Sequence, residues 1–541
     1  MNVLAFAAST GAGAHDGGFP LLTALIVLPF VGAIVTLLMP LRRPELVRAV
    51  GYATTAATFG LALFLLADFA TGRHGFQFTE HYEWMGEFGV RWLVGVDGIS
   101  LFMVALNALV FPLGLLASAK VENPKSFTFW MLLLEGAVMG VFLALDLVLF
   151  FVFFEFVLVP MYFVIAGWGY ANRRYAAMKF FLYTMAGSAF LLVGILSVAF
   201  LYQRDGHALT FDARTLIEWA STDGSIALST SKWLFIAFAV GFAVKIPLFP
   251  FHTWLPDAHT EAPTAGSVVL AAVMLKMGTY GFLRFAVPLF PQAAVDLAPV
   301  LLVLAVVGIT YGAVVATMQP DLKRLIAYSS IAHLGFVILG TFAFTTQGIS
   351  GGLFTMLSHG LTTGALFFLV GMLSDRRHTR EIAAFGGLWK SIPVFAGLFI
   401  ATAFASIGLP GFSGFVGEFL SLLGAFLTSR WYAVVATTGV ILAAVYLLWA
   451  VQRTFTGEPE GENVGLRDIS LREFATVVPL LGLSLFLGFH PSPVLDRLEP
   501  ATRDLIAHVE EHSDYREPDV ARGPAVAEEP ASAGDAQDGH R

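Results

Sequence analysis

The sequence contains no cysteine among its 541 residues. Disulfide bonds, thiolate metal sites, iron–sulfur clusters and nucleophilic thiols all require cysteine, so this chain can form none of them. If the protein takes part in electron transfer, a partner must hold the redox groups.

Charged side chains are also scarce. They make up 13% of the residues, against about a quarter in an ordinary soluble domain. The 31 basic and 39 acidic side chains give a net charge of −8, whereas a nucleic-acid-binding surface needs clustered basic residues. The composition therefore excludes a soluble globular enzyme and gives no indication of a nucleic-acid partner.

Hydrophobic residues, by contrast, make up 57% of the chain. They gather in about fourteen apolar runs near the length of about 20 residues that crosses a bilayer as a helix. The connections are mostly short, so we predict an all-α polytopic membrane protein with one transmembrane bundle over residues 19–490. The predicted runs are 19–40, 46–70, 97–118, 126–145, 147–167, 177–201, 233–251, 265–288, 297–318, 325–344, 351–373, 392–408 continuing to 427, 431–452 and 473–490.

Two segments flank the bundle. Residues 1–18 lack the positively charged start of a cleaved signal peptide, so we expect a short external N-terminal arm. Residues 491–541 hold most of the net negative charge, and we expect a polar acidic tail that is solvated and partly disordered. Within this tail, residues 494–509 are suited to a surface helix.

The distribution of Lys and Arg predicts the orientation of the bundle. The connections after odd-numbered runs hold more than twice as many of these residues as those after even-numbered runs. Because cytoplasmic loops are enriched in Lys and Arg, we expect the odd-numbered connections in the cytoplasm and both termini outside.

Four ionisable residues lie in the middle of apolar runs: Glu155, Lys245, Lys276 and Glu418. A charge at the centre of a membrane helix costs about 2.5–3.5 kcal/mol. A single lysine can extend to the interface, and a single glutamate can pair with a neighbouring helix. Four such residues in one chain instead predict an internal polar path.

Burial lowers the pKa of a lysine and raises that of a glutamate, and a nearby carboxylate draws the lysine back towards its charged form. Two lysines flanked by two glutamates therefore form a candidate proton relay with an electrostatic switch. His333 and His359 are suited to bridge the gaps, since imidazole titrates near neutral pH. The weaker candidates are Glu135, His252 and His259, whereas Asp146 is more typical of a helix end.

Two of the runs are interrupted. Pro247 and Pro250 break the seventh run, and Pro410 and Gly411 break the twelfth. Corresponding broken helices in two halves indicate an inverted repeat and an ion path. We predict two inverted five-helix repeats, at about 126–288 and 297–452, although two unrelated proline kinks are the alternative.

One segment resembles a known signature. Residues 245–263, KIPLFPFHTWLPDAHTEAP, followed by Lys276, are similar to the antiporter-like membrane subunits of proton-pumping NADH:quinone oxidoreductase, respiratory complex I. The resemblance extends over essentially the whole span from the first run to the fourteenth. Related subunits occur in multi-subunit cation/proton antiporters and membrane-bound hydrogenases, so the assembly stays open.

Two features resemble the M-type (chain 4) branch of that family. One is Glu418, at a position where the L-type and N-type sister subunits carry lysine. The other is the sequence Asp97-Gly98-Ile99-Ser100, which opens the third run. The acidic tail also lacks the lateral amphipathic helix and anchoring span with which the longer L-type sister ends.

The resemblance implies a role for each site residue. Glu155 and Lys245 form a switchable ion pair, Lys276 is the central relay, His333 and His359 extend the path, and Glu418 leads to the external exit.

The resemblance also implies that FMN, iron–sulfur clusters, NADH and quinone bind other subunits, and that this chain holds no cofactor or metal. The implied partners are the other membrane-arm subunits, especially the L-like and N-like sisters, in the inner (plasma) membrane of a bacterial cell. The alternatives are an antiporter or hydrogenase subunit and a membrane scaffold without conduction.

Overall fold

The computed structural model describes residues 19–40, 42–222 and 224–521. The predicted N-terminal arm, residues 1–18, and the last part of the predicted tail, residues 522–541, lie outside this description. In chain order the α-helices are α1 (Leu21–Leu38), α2 (Pro44–Asp68), α3 (Gly98–Ala117), α4 (Pro124–Leu143), α5 (Leu147–Trp168), α6 (Arg173–Arg204), α7 (Ala213–Ala220), α8 (Leu228–Lys245), α9 (Trp254–Glu261), α10 (Thr264–Leu289), α11 (Pro291–Thr317), α12 (Leu322–Phe342), α13 (Thr346–Arg377), α14 (Leu388–Ser391), α15 (Pro393–Ile407), α16 (Ser413–Thr428), α17 (Arg430–Phe455), α18 (Leu471–Phe489) and α19 (Ser492–Glu511).

The described part of the chain contains 13 helices that are long and apolar enough to cross a membrane. Two shorter apolar helices, α15 and α16, lie where the interrupted twelfth run was predicted. Each of the fourteen predicted runs therefore has a helical counterpart, and the prediction of an all-α, multi-pass membrane protein is confirmed. The inverted relation between the two five-helix units stays a prediction.

Several helices depart from regular α geometry. Helix α5 is divided at Val157 into Leu147–Phe156 and Leu158–Trp168. Helix α10 contains two π-helical stretches, Leu270–Met274 and Phe282–Ala286. Such stretches are rare and occur frequently at functional sites. In the seventh run the helix ends at Lys245, and residues 246–253, which include the two predicted prolines, separate α8 from α9. The twelfth run is divided into α15 and α16 by residues 408–412, as Pro410 and Gly411 predicted.

The centre of the bundle consists of α10, α12 and α13. Helices α10 and α13 are buried along their whole apolar stretch, and α12 is almost completely buried. Helix α13 is rich in Gly, Ser and Thr, and small residues let membrane helices approach closely. Side chains on these three helices therefore face the protein interior and not lipid.

One end of the bundle, which we call the basic end, carries Arg42, Lys120, Arg173, Lys323 and Arg380. Hydrogen bonds link its connections: Trp168 Nε1 donates to Glu122 O (2.7 Å), Tyr170 N to Glu261 O (2.9 Å) and Leu322 N to Arg380 O (3.0 Å). These connections are the odd-numbered ones of the sequence prediction.

The opposite end, which we call the capped end, is covered by non-spanning elements. An antiparallel hairpin of β1 (Gln77–Met85) and β2 (Val90–Val96) lies beside α7, and Phe211 N donates to Gly89 O at 3.2 Å. The amphipathic helix α19 also packs there, with Leu498 and Leu505 buried. The surface helix suggested for residues 494–509 is therefore present, and this part of the predicted tail belongs to the folded structure. Short 3₁₀ turns occupy Gly86–Phe88, Ile382–Ala384, Gly461–Asn463 and Asp519–Ala521.

Candidate functional site: a buried line of titratable side chains

The break in the twelfth run places Glu418 in the interior. Gly408 ends α15 with a φ of +81°, a left-handed conformation that favours glycine. A Cβ atom at Gly408 would lie 3.2 Å from Glu418 Oε2, so the glycine leaves space for the carboxylate. Ser413, at the start of α16, bonds through its hydroxyl to Ser358 and Ser484, at 2.8 Å each. The Glu418 side chain is buried on this helix, one residue after Gly417.

Glu418 belongs to a line of buried titratable side chains. His333 Nδ1 is 2.6 Å from Glu418 Oε1. The imidazole rings of His333 and His359 lie 5.7 Å apart between their centroids, and His359 Nδ1 is 2.7 Å from Lys276 Nζ. The structure thus brings together four of the predicted relay residues, with hydrogen bonds at both ends of the line. A protonatable nitrogen or oxygen stands at every step, so the arrangement can pass a proton from one group to the next.

Lys276 lies between the two π-helical stretches of α10, and its side chain is fully buried. Its Nζ donates to the carbonyl oxygen of Ala271, five residues earlier and within the first π-helical stretch. A π-helical stretch departs from the regular hydrogen-bond pattern of an α-helix. The Ala271 carbonyl can therefore accept a hydrogen bond from the Lys276 ammonium group beside His359.

Glu155 and Lys245 lie near each other and apart from this line, but no ion pair within 4 Å joins them in the structure. Lys245 is the last residue of α8, and its Nζ lies 3.4 Å from the carbonyl oxygen of Phe154 and 4.6 Å from the centre of the Phe154 ring. Glu155 follows directly, its charge interacts with that of Lys245, and its Oε1 is buried without a hydrogen-bond partner in the part of the chain that is described. The two groups are neighbours, and a displacement would change their interaction appreciably, since the Coulomb energy between two charges is large at low dielectric.

The weaker candidates lie in other surroundings. Glu135 is fully buried in α4, and neither of its carboxylate oxygens has a partner among the described residues. His252 stacks on Phe249 near the first helix break. His259, in α9, is fully buried and stacks on Phe367 at 4.7 Å between centroids. Asp146 accepts hydrogen bonds from Val148 N and Leu149 N at the start of α5, so it marks a helix end, as predicted.

Three buried groups were not predicted as part of the site. The Tyr446 hydroxyl is 3.4 Å from His333 Nε2, but a single tyrosine in an apolar run gives no signal in the sequence. Arg284 and Lys323 were counted among the charges of connections, yet both are buried, and Arg284 donates to the capping residue Asp97. Because both residues lie near the ends of apolar runs, the sequence contains no sign that their side chains are buried.

Within the described ranges, no group of three or more His, Asp or Glu side chains is arranged to hold a metal ion.

Comparison with known proteins identifies the family. The transmembrane family described as "NADH:quinone oxidoreductase/Mrp antiporter, TM" matches residues 144–443, which include all six relay candidates. The chain belongs to this family. The resemblance drawn from the KIPLFPFHTWLPDAH segment is confirmed.

Relatives in the NADH:quinone oxidoreductase/Mrp antiporter family cover nearly the whole chain. The NADH-quinone oxidoreductase subunit M of Rhodobacter capsulatus is 46% identical over 472 residues, which cover 84% of this chain and 90% of the relative. The NADH-ubiquinone oxidoreductase chain 4 of Arabidopsis thaliana is 39% identical over 501 residues, covering 91% and 98%.

Solved structures of the family have the same fold. A chain of respiratory complex I from Thermus thermophilus with bound NADH superposes with a TM-score of 0.81 at 34% identity, covering 91% of this chain and 100% of that one. A chain of the Mrp complex from Dietzia sp. superposes with a TM-score of 0.78 at 21% identity, covering 91% and 99%, and this likeness concerns the fold alone.

Proposed function

We propose that this chain is the M-type, proton-translocating membrane subunit of an NADH:quinone oxidoreductase. The observation that carries the proposal is the buried line Lys276, His359, His333 and Glu418, which leads from α10 to the broken helix α15–α16. It has a short hydrogen bond at each end and a contact between the two imidazole rings in the middle. The similarity to subunit M of Rhodobacter capsulatus supports the choice of assembly.

In this mechanism the Glu155–Lys245 pair is the switch. Its carboxylate stabilises the charged lysine, so a change in their separation alters the proton affinity of Lys245 and, through the shared electrostatic field, that of Lys276. Lys276 then releases its proton to His359, and His333 carries it to Glu418. Proton release beyond Glu418 completes the transfer.

The energy comes from electron transfer outside this chain. A chain without cysteine cannot hold an iron–sulfur cluster. In the proposed assembly, iron–sulfur clusters, FMN, NADH and quinone bind partner subunits, and the L-like and N-like sisters lie beside this subunit in the membrane arm. The basic end faces the cytoplasm of a bacterial cell, and the capped end and both termini lie outside.

The test is an affinity purification of the full chain from its native membrane in mild detergent, with partner identification by mass spectrometry and an assay of NADH:quinone reductase activity. We expect an assembly that contains flavin and iron–sulfur subunits and oxidises NADH. An assembly of membrane subunits alone, without flavin or NADH oxidation, would contradict the proposal and favour an ion-driven antiporter.

A further inference from the structure

Lys323 is a buried lysine at the basic end that the relay described above does not use. It is the second residue of α12, and its side chain is 2% exposed. Asp321 caps this helix by accepting hydrogen bonds from Lys323 N (2.7 Å) and Arg324 N (3.0 Å). The Lys323 ammonium group donates to the carbonyl oxygen of Ala262, in the two-residue link between α9 and α10.

On its outer side Lys323 touches groups that reach solvent. Its Nζ lies 4.9 Å from the centre of the Tyr170 ring, and the Arg380 guanidinium covers the same ring at 4.5 Å. Arg380 pairs with Asp321 at 3.1 Å, and the side chains of these two residues are 16% and 20% exposed. Arg380 also donates to Thr260 O at 2.6 Å. Lys323 is thus separated from water at the basic end by one layer of charged and aromatic side chains.

On its inner side Lys323 is linked to the helix that carries His259, because Ala262, the acceptor for its ammonium group, directly follows α9. The His259 ring is fully buried, and neither of its nitrogens has a hydrogen-bond partner in the described part of the chain. The carbonyl oxygen of His259 accepts a hydrogen bond from the Ser267 hydroxyl of α10 at 3.0 Å, so α9 is also joined to the helix that carries Lys276. A buried imidazole with two unpaired nitrogens is costly unless water or another polar group reaches it. The unpaired ring marks a position where a proton carrier fits.

We propose that Lys323 is the proton-uptake residue of this subunit and that it supplies Lys276 through His259. Lys323 takes a proton from water at the basic end, so an O–H bond breaks and an N–H bond forms. The proton then passes from Nζ to one nitrogen of His259, and the other nitrogen releases a proton to Lys276. Water molecules bridge the steps at which the side chains are not in direct contact. The inference rests on the proposed function, because it assigns the source of the proton that Lys276 passes on.

A purely structural role for Lys323 makes a different prediction. In that case the ammonium group only satisfies the carbonyl of Ala262 and balances the charge of Asp321. Arginine would do the same, since it keeps the positive charge and offers several N–H donors. Arginine does not release its proton in proteins, however, so it cannot act as a carrier.

The experiment therefore compares Lys323→Arg with native protein in the assembled complex, in inside-out membrane vesicles with NADH as the electron donor. The matched control is Arg174→Gln, which removes an exposed charge at the same end. We expect Lys323→Arg to assemble at native levels and to lower NADH-driven proton transport about tenfold or more, while the control stays at the native rate. Native transport in assembled Lys323→Arg would overturn the inference.

Two further variants complete the design. His259→Phe keeps a ring stacked on Phe367 but removes both nitrogens, so it tests the same path independently of the contacts of Lys323. We expect the same loss of transport, and a native rate would overturn the path through His259. Lys276→Ala separates this inference from the proposed function. If Lys276→Ala abolishes transport while Lys323→Arg and His259→Phe do not, only the uptake path fails; if Lys276→Ala pumps normally, the proposed function itself fails.

Discussion

At the scale of single residues, Lys276 and Lys245 occupy contrasting sites. Lys245 has the carboxylate of Glu155 as its neighbour. The ammonium group of Lys276 contacts only neutral acceptors among the described residues, the carbonyl of Ala271 and the His359 imidazole. A buried charge without a counter-charge is expensive. Loss of the proton from Lys276 would remove such an uncompensated charge, as the proposed transfer along the line towards Glu418 requires.

The Glu155–Lys245 pair gives the first prediction. We expect Glu155→Gln and Lys245→Ala each to abolish most NADH-driven proton transport in an assembled complex, because either change removes the charge to which the other residue responds. Proton transport is measured as quenching of a pH-sensitive dye in membrane vesicles, and assembly by native gel electrophoresis.

A second Lys–Glu pair supplies the control. Lys390 and Glu458 pair at the basic end, where their side chains are 55% and 75% exposed. Lys390→Ala and Glu458→Gln should leave transport unchanged, since exposed pairs contribute little. Full pumping in an intact complex carrying Glu155→Gln or Lys245→Ala would refute the role of the buried pair.

The sequence revealed only those site residues whose type is unusual for their surroundings. Glu418 and Lys276 stand out because a charge in a long apolar run is costly. Lys323 escaped this reasoning because it follows Gln319, Pro320 and Asp321 at the edge of a run, where a lysine is normally a loop charge. Its burial depends on Tyr170 and Arg380, which are distant in sequence.

At the scale of elements, close packing between α13 and α16 fixes the position of Glu418. A Cβ atom added at Gly417 would lie 2.4 Å from Thr355 Oγ1 and 2.7 Å from Thr355 N, so α16 would have to move. We expect Gly417→Ala to lower stability by about 1–3 kcal/mol, the usual cost of overpacking. It should also slow proton transport several-fold, because the shift lengthens the contact between His333 and Glu418.

Gly397, in the neighbouring helix α15, is the matched control for this prediction. A Cβ atom there would meet nothing within 4 Å. Gly397→Ala should be neutral or slightly stabilising, since alanine favours helix by up to about 1 kcal/mol. Thermal inactivation of the purified complex measures stability. Equal stability and equal proton transport in the two variants would show that the α13–α16 contact does not position Glu418.

Helix α19 gives a prediction of pH dependence outside the membrane spans. His508 Nε2 donates to Pro288 O at 2.9 Å, and burial lowers the pKa of His508 from 6.5 to about 4. Between these values the detached helix binds a proton and the docked helix does not. Docking of α19 therefore weakens as the pH falls from about 6.5 to 4. The free energy of docking changes by about 1.4 kcal/mol per pH unit, so the total loss is as much as about 3 kcal/mol.

Hydrogen exchange of residues 492–511 at pH 7 and pH 5, corrected for the intrinsic pH dependence of exchange, measures this effect. His508→Gln keeps an N–H donor for Pro288 but does not titrate. Protection of α19 in this variant should change less with pH than in the native chain. The same pH dependence in both proteins would mean that His508 does not control docking.

The sequence predicted the elements unequally. The spanning helices follow directly from long apolar runs, and the helix breaks from Pro247, Pro250, Pro410 and Gly411. The strands β1 and β2 were not predicted, because the hairpin is short and is held by contacts with α7 and other elements of the capped end. Elements whose stability comes from partners distant in sequence leave only a weak local pattern.

At the scale of the whole molecule, the charge asymmetry between the two ends gives the last prediction. The basic end carries most of the Lys and Arg of the connections, and such loops stay in the cytoplasm. The hairpin, α7 and α19 lie at the opposite end. We therefore expect the basic end to be reachable only from the cytoplasm and the hairpin only from outside.

The absence of cysteine makes this orientation directly measurable, because one introduced cysteine is the only thiol of the chain. Arg174→Cys places it at the basic end and Glu87→Cys in the hairpin, both at exposed positions. A membrane-impermeant maleimide should label Arg174→Cys only in inside-out vesicles and Glu87→Cys only in right-side-out vesicles. The reversed labelling pattern would mean that the basic end lies outside the cell. Lys323 would then face the side from which a pump cannot draw its protons.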